Sequence, residues 1–464
     1  MCVAYVRSRE LVAPKLIKAR SASLRLGGRY LSAKKVTLFI SDSAWLLISS
    51  LIAIFASSSF SNSWPNAGVV AVMLAVVYQA SFYLMDLYQL DERTTKGEYL
   101  LNLSLAFGLS AVTIAAGQKV GLLSDDFPLA PQLALTVGFI VAGRALIAVR
   151  FPSERCTPIG FIGSADALGQ LEKNRSGLEA VGIRMQQLGD GFAQIMNTSR
   201  ESISRLRYVV VEDARLNTPG AEDFLEKCMA EGIEAICLSD FCERALGRVA
   251  LGNHLLREIG FPSYGRSGTV REALRRIRDI TLGSIALILS APLWLAVAIA
   301  IKLDSRGPVF FNQERVGRNG RRFKMFKFRS MHSDIKVTNG PHWTTHERDP
   351  RITRVGAVLR LLHLDELPQL INVIRGDMSI VGPRPFHPLH SAQLESSPFF
   401  KLRLAVPPGI TGWAQIRCDY SDSVSSHEEV LARDLFYVKR AGLVFDLMVI
   451  CDTIRVCIWR RGSR

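Results

Sequence analysis

The chain has 464 residues, 48% of them hydrophobic, and a formal net charge of +15. That length exceeds one ordinary domain and predicts two to four units. A basic, apolar-rich composition points either to nucleic acid or to the inner face of a membrane, and the apolar runs below decide for membrane lipid and against nucleic acid.

Residues 1–35 form a basic N-terminus, with nine Lys and Arg against the single acid Glu10. By the positive-inside rule this is a cytoplasmic flank. No apolar core with a small-residue cleavage site follows closely, so it does not read as a cleaved signal peptide. Four apolar runs follow, at about 36–60, 67–85, 99–118 and 129–149. Each approaches the roughly 20 residues that a spanning helix needs. The turn at 61–66 lacks Lys and Arg and the turn at 122–128 carries Asp125 and Asp126, whereas Arg93, Lys96, Arg150 and Arg155 lie on the alternate side. The expectation for 36–150 is therefore a bundle of four transmembrane helices with both ends in the cytoplasm. Asp42 and Arg144 fall inside spans and face each other, a water-filled gap or the membrane interface, with no function assigned to them.

From 156 to 262 strand-like and helix-like segments alternate. Residues 158–162, 206–211 and 235–238 read as strands, and 165–173 and 221–231 as helices. This predicts a small Rossmann-like α/β domain with a parallel sheet. Gly160-x-x-Gly163 is a poor match to a dinucleotide fingerprint, which needs three glycines at set spacing. The eight cysteines form no Cys-x-x-Cys pair, so neither a zinc site nor a disulfide framework is indicated.

Residues 269–280 are basic and amphipathic, suited to an anionic membrane surface. Residues 280–303 are long and apolar enough to span, but Pro292 interrupts them and both flanks are basic. A fifth span would place everything downstream outside the cell. Proline removes one helical hydrogen bond and kinks the helix, and Ser290 can satisfy the freed carbonyl. The expectation is a re-entrant membrane helix that dips into one leaflet and returns.

In 323–331, Phe326 and Phe328 alternate with Lys327 and Arg329. That pattern fits a strand with a basic face turned to a phosphate, or a plain solvated edge. His342 and His346 lie in a Gly-Pro loop and are discounted as metal ligands. Residues 363–385 carry the densest chemistry. Asp365 and Glu366 precede Leu367, Leu370, Ile371 and Ile374, an apolar face at helical spacing. Pro368 fits only a first helical turn, so the two acids sit at or just before a helix start, where an anion is favoured. Neighbouring helical residues point about 100° apart, so the carboxylates have different jobs: one faces a phosphorus atom and the other holds a metal. A solvated, acid-capped helix start is the plainer alternative. Gly382, Pro383 and Pro385 fix a tight loop presenting Arg384, whose planar fork matches phosphate oxygens.

These blocks, read in order, resemble the bacterial sugar transferases, the polyprenol-phosphate phosphoglycosyl transferases, in their long membrane-anchored form. The resemblance rests on Arg-x-x-Asp279, the proline-broken helix, Phe-Lys327-Phe-Arg329-Ser-Met331, Asp365-Glu366-Leu-Pro-Gln, Gly376-Asp-Met-Ser-x-Val-Gly-Pro-Arg384-Pro and Pro-Gly409-Ile-Thr-Gly-Trp-Ala-Gln. More loosely, Asp240-Phe-Cys-Glu-Arg244 resembles the exopolysaccharide-associated branch. Many members have Ser-Pro adjacent where this chain has Ser290-Ala291-Pro292.

The resemblance implies a catalytic α/β-type domain at 269–464 on the cytoplasmic face of the bacterial inner membrane. It implies transfer of a phosphosugar from a UDP-sugar to polyprenyl phosphate with release of UMP. Asp365 is then the nucleophile, Glu366 the Mg²⁺ ligand, Arg384 the phosphate clamp, and Lys327 and Arg329 position charge. A homodimer is a family-level expectation. Two other classes remain beside this enzyme: a non-catalytic membrane scaffold for polysaccharide assembly, and a nucleotide-sugar hydrolase that needs no lipid.

Overall fold

Runs of apolar residues bounded by polar turns become long helices, and β-branched runs become short strands. The computed structural model describes residues 23–26, 29–56, 64–88, 96–121, 123, 129–150, 157–172, 183–192, 206, 208–251, 270–332, 351–388, 398–418 and 425–459. Most of the basic N-terminus, parts of the turns between spans, and His342 and His346 lie outside the described residues. The chain divides into two compact units, residues 1–246 and 247–464.

The first unit opens with a hairpin of β1 (Ser23–Leu26) and β2 (Arg29–Ser32). Four helices follow: α1 (Ala33–Ala56), α2 (Trp64–Leu84), α3 (Lys96–Lys119) and α4 (Leu129–Arg150). Stretches of α1, α3 and α4 are long and apolar enough to cross a membrane, and the described apolar part of α2, Gly68–Leu84, is shorter. The core between them is aromatic, with Phe82 and Phe107 edge to face at 5.3 Å. Asp42 and Arg144 do face each other inside it. Arg144 Nη2 lies 2.6 Å from Asp42 Oδ2, Tyr88 donates to the same oxygen at 2.9 Å, and Arg144 Nη1 bonds the Tyr99 hydroxyl at 2.7 Å. A buried ion pair is tolerable only when its remaining valences are met in this way.

The sheet comprises β3 (Thr157–Ile162), β4 (Ile183–Gly189), β5 (Tyr208–Val211) and β6 (Glu234–Cys237), with α5 (Ala165–Glu172) and α6 (Ala221–Ala230) between strands. The order is β4-β3-β5-β6, all parallel, as expected. The edge strand β4, in which Ile183 and Met185 alternate with Arg184 and Gln186, is an addition to the three expected strands. Packing accounts for the paired glycines. A Cβ on Gly160 would lie 2.5 Å from Leu188, and one on Gly163 2.7 Å from Glu212. The Glu212 carboxylate itself accepts the Ser164 backbone N–H at 2.8 Å, ahead of α5. A short helix α7 (Leu238–Phe241) and a π turn at Cys242–Leu246 end this unit.

In the second unit, residues 247–251 join the core through Val249, and the Gly247 carbonyl accepts from Trp413 Nε1 at 2.6 Å. The amphipathic and apolar stretches then form one helix, α8 (Val270–Asp304), helical through Pro292. Its fully buried residues Arg275, Asp279, Gly283, Val297 and Ile301 fall on one stripe, while Ile288, Leu289, Leu295 and Leu303 on the rest of the surface are exposed. Ser290 Oγ donates to the Leu287 carbonyl at 3.2 Å, one residue before the Ile288 carbonyl that Pro292 leaves without its usual partner. The Arg-x-x-Asp motif is an anchor. Arg276 donates to the carbonyls of Val373 and Ile374, and Asp279 Oδ1 accepts the Ile380 N–H at 3.3 Å.

An antiparallel hairpin follows, β7 (Phe310–Val316) with β8 (Arg322–Phe328). Next come α9 (Arg354–Leu361), a 3₁₀ turn at Leu364–Glu366, α10 (Gln369–Arg375) and β9 (Ser379–Val381). After α11 (Pro398–Arg403), β10 (Gly409–Thr411) pairs parallel with β9, and α12 (Ser425–Arg440) and α13 (Leu443–Trp459) close the fold. The β9 and β10 backbones cross so closely that a Cβ on Gly409 would lie 2.1 Å from the Gly382 nitrogen.

Asn372 of α10 is fully buried and stitches this helix to β8. Its Oδ1 accepts the Phe326 N–H at 3.0 Å, and its Nδ2 donates to the Lys324 carbonyl at 2.8 Å. Replacing Asn372 with Leu orphans both backbone groups. The expected cost is about 1–3 kcal/mol per group, read as a lower Tm of the detergent-solubilised chain. A melting temperature equal to the parent's would show that the amide contributes little.

Candidate active site

Helix α9 ends because His363 adopts a left-handed conformation, φ 54°. A non-glycine residue held there costs about 1–3 kcal/mol and persists only where its surroundings impose it. The reversal throws the chain into the 3₁₀ turn, where the Glu366 N–H donates to the His363 carbonyl at 3.2 Å. Pro368 caps α10 immediately afterwards. The acidic pair therefore precedes the helix, as expected from the proline.

Asp365 is 8% exposed. Its nearest cation is Lys327, with Nζ 4.0 Å from Oδ2, too long for a hydrogen bond. Glu366 is held much more firmly. Its Oε1 takes Lys327 Nζ at 2.8 Å and Arg384 Nη2 at 3.0 Å. Burial raises the Asp365 carboxyl above its ordinary range; Lys327 opposes this and the neighbouring Glu366 adds to it. Burial acts on Glu366 too, but there Arg384 and Lys327 outweigh it and hold the carboxyl well below its ordinary range. The two acids are thus driven apart in acidity, the pattern expected of carboxyls with different roles.

Lys327 comes from β8, Arg384 from the loop after β9, and the acids from the turn between α9 and α10. The structure brings together four of the five residues singled out from sequence. Arg329 goes elsewhere. Strand β8 ends at Phe328, so the alternation that paired Arg329 with Lys327 no longer applies. Arg329 is buried and donates to the Arg306 carbonyl at 2.7 Å and the Ser305 carbonyl at 2.8 Å, where it caps the C-terminal end of α8.

One residue was missed. Arg315, on β7, donates to the Pro385 carbonyl at 3.2 Å. Burial and the nearby Arg384 hold its guanidinium down to about 10, while Glu366 acts the other way. In the sequence it was one of several basic residues after an apolar helix. Only the hairpin reveals that it reaches the Arg384 loop.

No group of three or more His, Cys, Asp or Glu side chains converges as a metal site among the described residues. Magnesium does not require one, because it is commonly held by one or two carboxylates together with substrate phosphates and water. Both cations on Glu366 use Oε1, which leaves Oε2 as an oxygen donor of the kind a hard cation takes. A buried carboxylate with one ammonium 4.0 Å away, next to a second carboxylate that two cations neutralise, is suited to attack on a phosphorus centre.

Residues 270–460 match the model of the bacterial sugar transferase family. The chain is 35% identical over 271 residues to a UDP-N-acetylgalactosamine-undecaprenyl-phosphate N-acetylgalactosaminephosphotransferase of Aeromonas hydrophila, covering 57% of this chain and 62% of that protein. It is 41% identical over 191 residues to the UDP-glucose:undecaprenyl-phosphate glucose-1-phosphate transferase of Escherichia coli K12, covering 40% of each. It is also 41% identical over 191 residues to the exopolysaccharide production protein PSS of Rhizobium leguminosarum bv. phaseoli, covering 39% of this chain and 93% of that protein. The chain thus spans less than two thirds of the first two relatives and nearly all of the third. On the family match and this last coverage, the chain belongs to the bacterial sugar transferase family.

Proposed function

We propose that this protein transfers a phosphosugar from a UDP-sugar to undecaprenyl or a similar polyprenyl phosphate, releasing UMP, as a membrane step of exopolysaccharide synthesis. The observation that carries the proposal is the contrast within the acidic pair. Glu366 is neutralised by two cations, while Asp365 is buried and, among the described residues, has no cation within hydrogen-bond reach.

In the first step an Asp365 oxygen attacks the phosphorus bearing the sugar, and the bond to the UMP phosphate breaks. In the second, a phosphate oxygen of the lipid attacks the same phosphorus and frees Asp365. Splitting the transfer in two avoids aligning two repelling anions in one transition state. Arg384, half-exposed and fixed by Glu366, clamps the substrate phosphate; Lys327 holds Glu366 in place and faces Asp365. Glu366 would hold Mg²⁺, which would neutralise diphosphate charge and ease departure of UMP.

The acceptor's phosphate lies at the headgroup plane, so the site must lie there as well. The one-sided burial of α8 supports a re-entrant placement. A helix whose packed stripe runs from Arg275 to Ile301 keeps both ends on the catalytic body, whereas a transverse span would carry one end away across about 30 Å of hydrocarbon. With the basic flanks, this favours the cytoplasmic face of the inner membrane. The intact acid pair and arginine loop count against a non-catalytic scaffold.

Membranes bearing the chain should release UMP from a UDP-sugar when given polyprenyl phosphate. Asp365→Asn should lower that release by roughly a thousandfold or more. Mass spectrometry should find a phosphosugar on the peptide containing Asp365 when lipid is withheld. Undiminished turnover by the Asn variant would refute the reading, and UMP release without lipid acceptance would favour a hydrolase. The pH profile gives an independent check. Lys327 lowers the Asp365 carboxyl against burial, so Lys327→Met should move the acid limb of kcat/KM to higher pH. An acid limb that stays in place or moves down would disconnect Lys327 from the titrating group.

A further inference from the structure

The loop that presents Arg384 is Gly382-Pro383-Arg384-Pro385-Phe386. Two of its five residues are prolines, which have no N–H to donate. It is therefore fixed mainly through its carbonyls, and four in a row are taken. The Pro383 carbonyl accepts the Gly409 N–H at 3.0 Å, and the Phe386 carbonyl accepts the Val316 N–H at 3.0 Å. Between them, the Arg384 carbonyl accepts from Arg403, and the Pro385 carbonyl accepts from Arg315 at 3.2 Å.

The two side-chain clamps differ. Arg403 is buried and paired with Asp434 at 2.6 Å, so its charge is spent internally. Among the described residues Arg315 has no carboxylate within salt-bridge distance and its buried Nε has no partner, while its Nη2 donates to Gln313 Oε1 at 2.6 Å. A guanidinium placed close to another guanidinium costs energy, so its position calls for a reason beyond packing. We infer that Arg315 is a positioning residue for Arg384: by gripping the adjacent Pro385 carbonyl while braced on Gln313, it sets the direction of the Arg384 fork toward the anion. Lysine cannot replace it, because one ammonium on a flexible stem does not reproduce a planar fork that spans two acceptors.

The inference rests on the transferase reading only in naming the anion a phosphate. Its test is therefore equilibrium binding of inorganic pyrophosphate to the full-length chain in detergent, beside a separate UMP-release assay. Arg315→Lys and Arg315→Met should each weaken pyrophosphate binding about tenfold, as loss of one charge-assisted contact would. Arg384→Ala should weaken it at least as much. In the Arg384→Ala background, either Arg315 change should cost less than about threefold more, because residues acting as one unit are not additive. In turnover, Arg315→Lys should raise KM for the UDP-sugar while leaving its melting temperature near that of the parent. Where Arg315→Met folds poorly, Arg315→Lys carries the comparison. Parent-like pyrophosphate binding by Arg315→Lys, fully multiplicative losses in the double variant, or a parent chain that binds no pyrophosphate would each overturn the inference. Intact coupling with no UMP release would instead sink the transferase reading and leave Arg315 in its role.

Discussion

The contact on which the site depends is the single oxygen of Glu366 shared by Lys327 and Arg384. It joins three elements that are far apart in sequence: the hairpin strand β8, the turn before α10 and the loop after β9. A carboxylate with two cations remains ionised even where burial opposes charge. Its fixed negative charge then makes the adjacent Asp365 harder to ionise and, once ionised, more basic. One acid is neutralised, and the other is left without a cation as close.

The surrounding structure serves to hold those three elements in register. Asn372 ties α10 to β8 with backbone hydrogen bonds that a third strand would otherwise supply. Arg276 and Asp279 fasten α8 to α10 and β9. Arg278 completes this anchor, lying 2.7 Å from Asp279 and also pairing with Asp446, which accepts from Tyr437 at 2.8 Å. These are buried polar contacts, costly if half satisfied and stiff when complete. A long apolar helix is in this way rigidly connected to the helix that follows the acidic turn.

Much of this was legible because the signals were local. Pro368 placed the acidic pair outside the helix, and hydropathy located four apolar segments within a few residues of α1 to α4. What escaped depended on long-range packing. Strand β4 is an edge whose apolar–polar alternation lasts only from Ile183 to Gln186, too short to stand out from a loop. Lys327 and Arg329 looked equivalent by alternation, yet the strand ends between them and only Lys327 enters the site. Arg315 looked like one flanking base among many until the hairpin folded it against the Pro385 carbonyl. The glycines at 160 and 163 resembled a degraded nucleotide loop, whereas Leu188 and Glu212 fill the space that side chains there would need.

The tie between Asp42 and Arg144 has a consequence for biogenesis. Either charge alone inside a helix in hydrocarbon is penalised, by about 2.5–3.5 kcal/mol at a helix centre and by less towards its ends. The two residues stand 102 positions apart, so the first helix leaves the ribosome long before its partner exists. Until α4 arrives, α1 is a poor guest of the lipid and needs water, the translocon or a chaperone beside it. The charge of the first helix is matched only once the fourth helix packs against it.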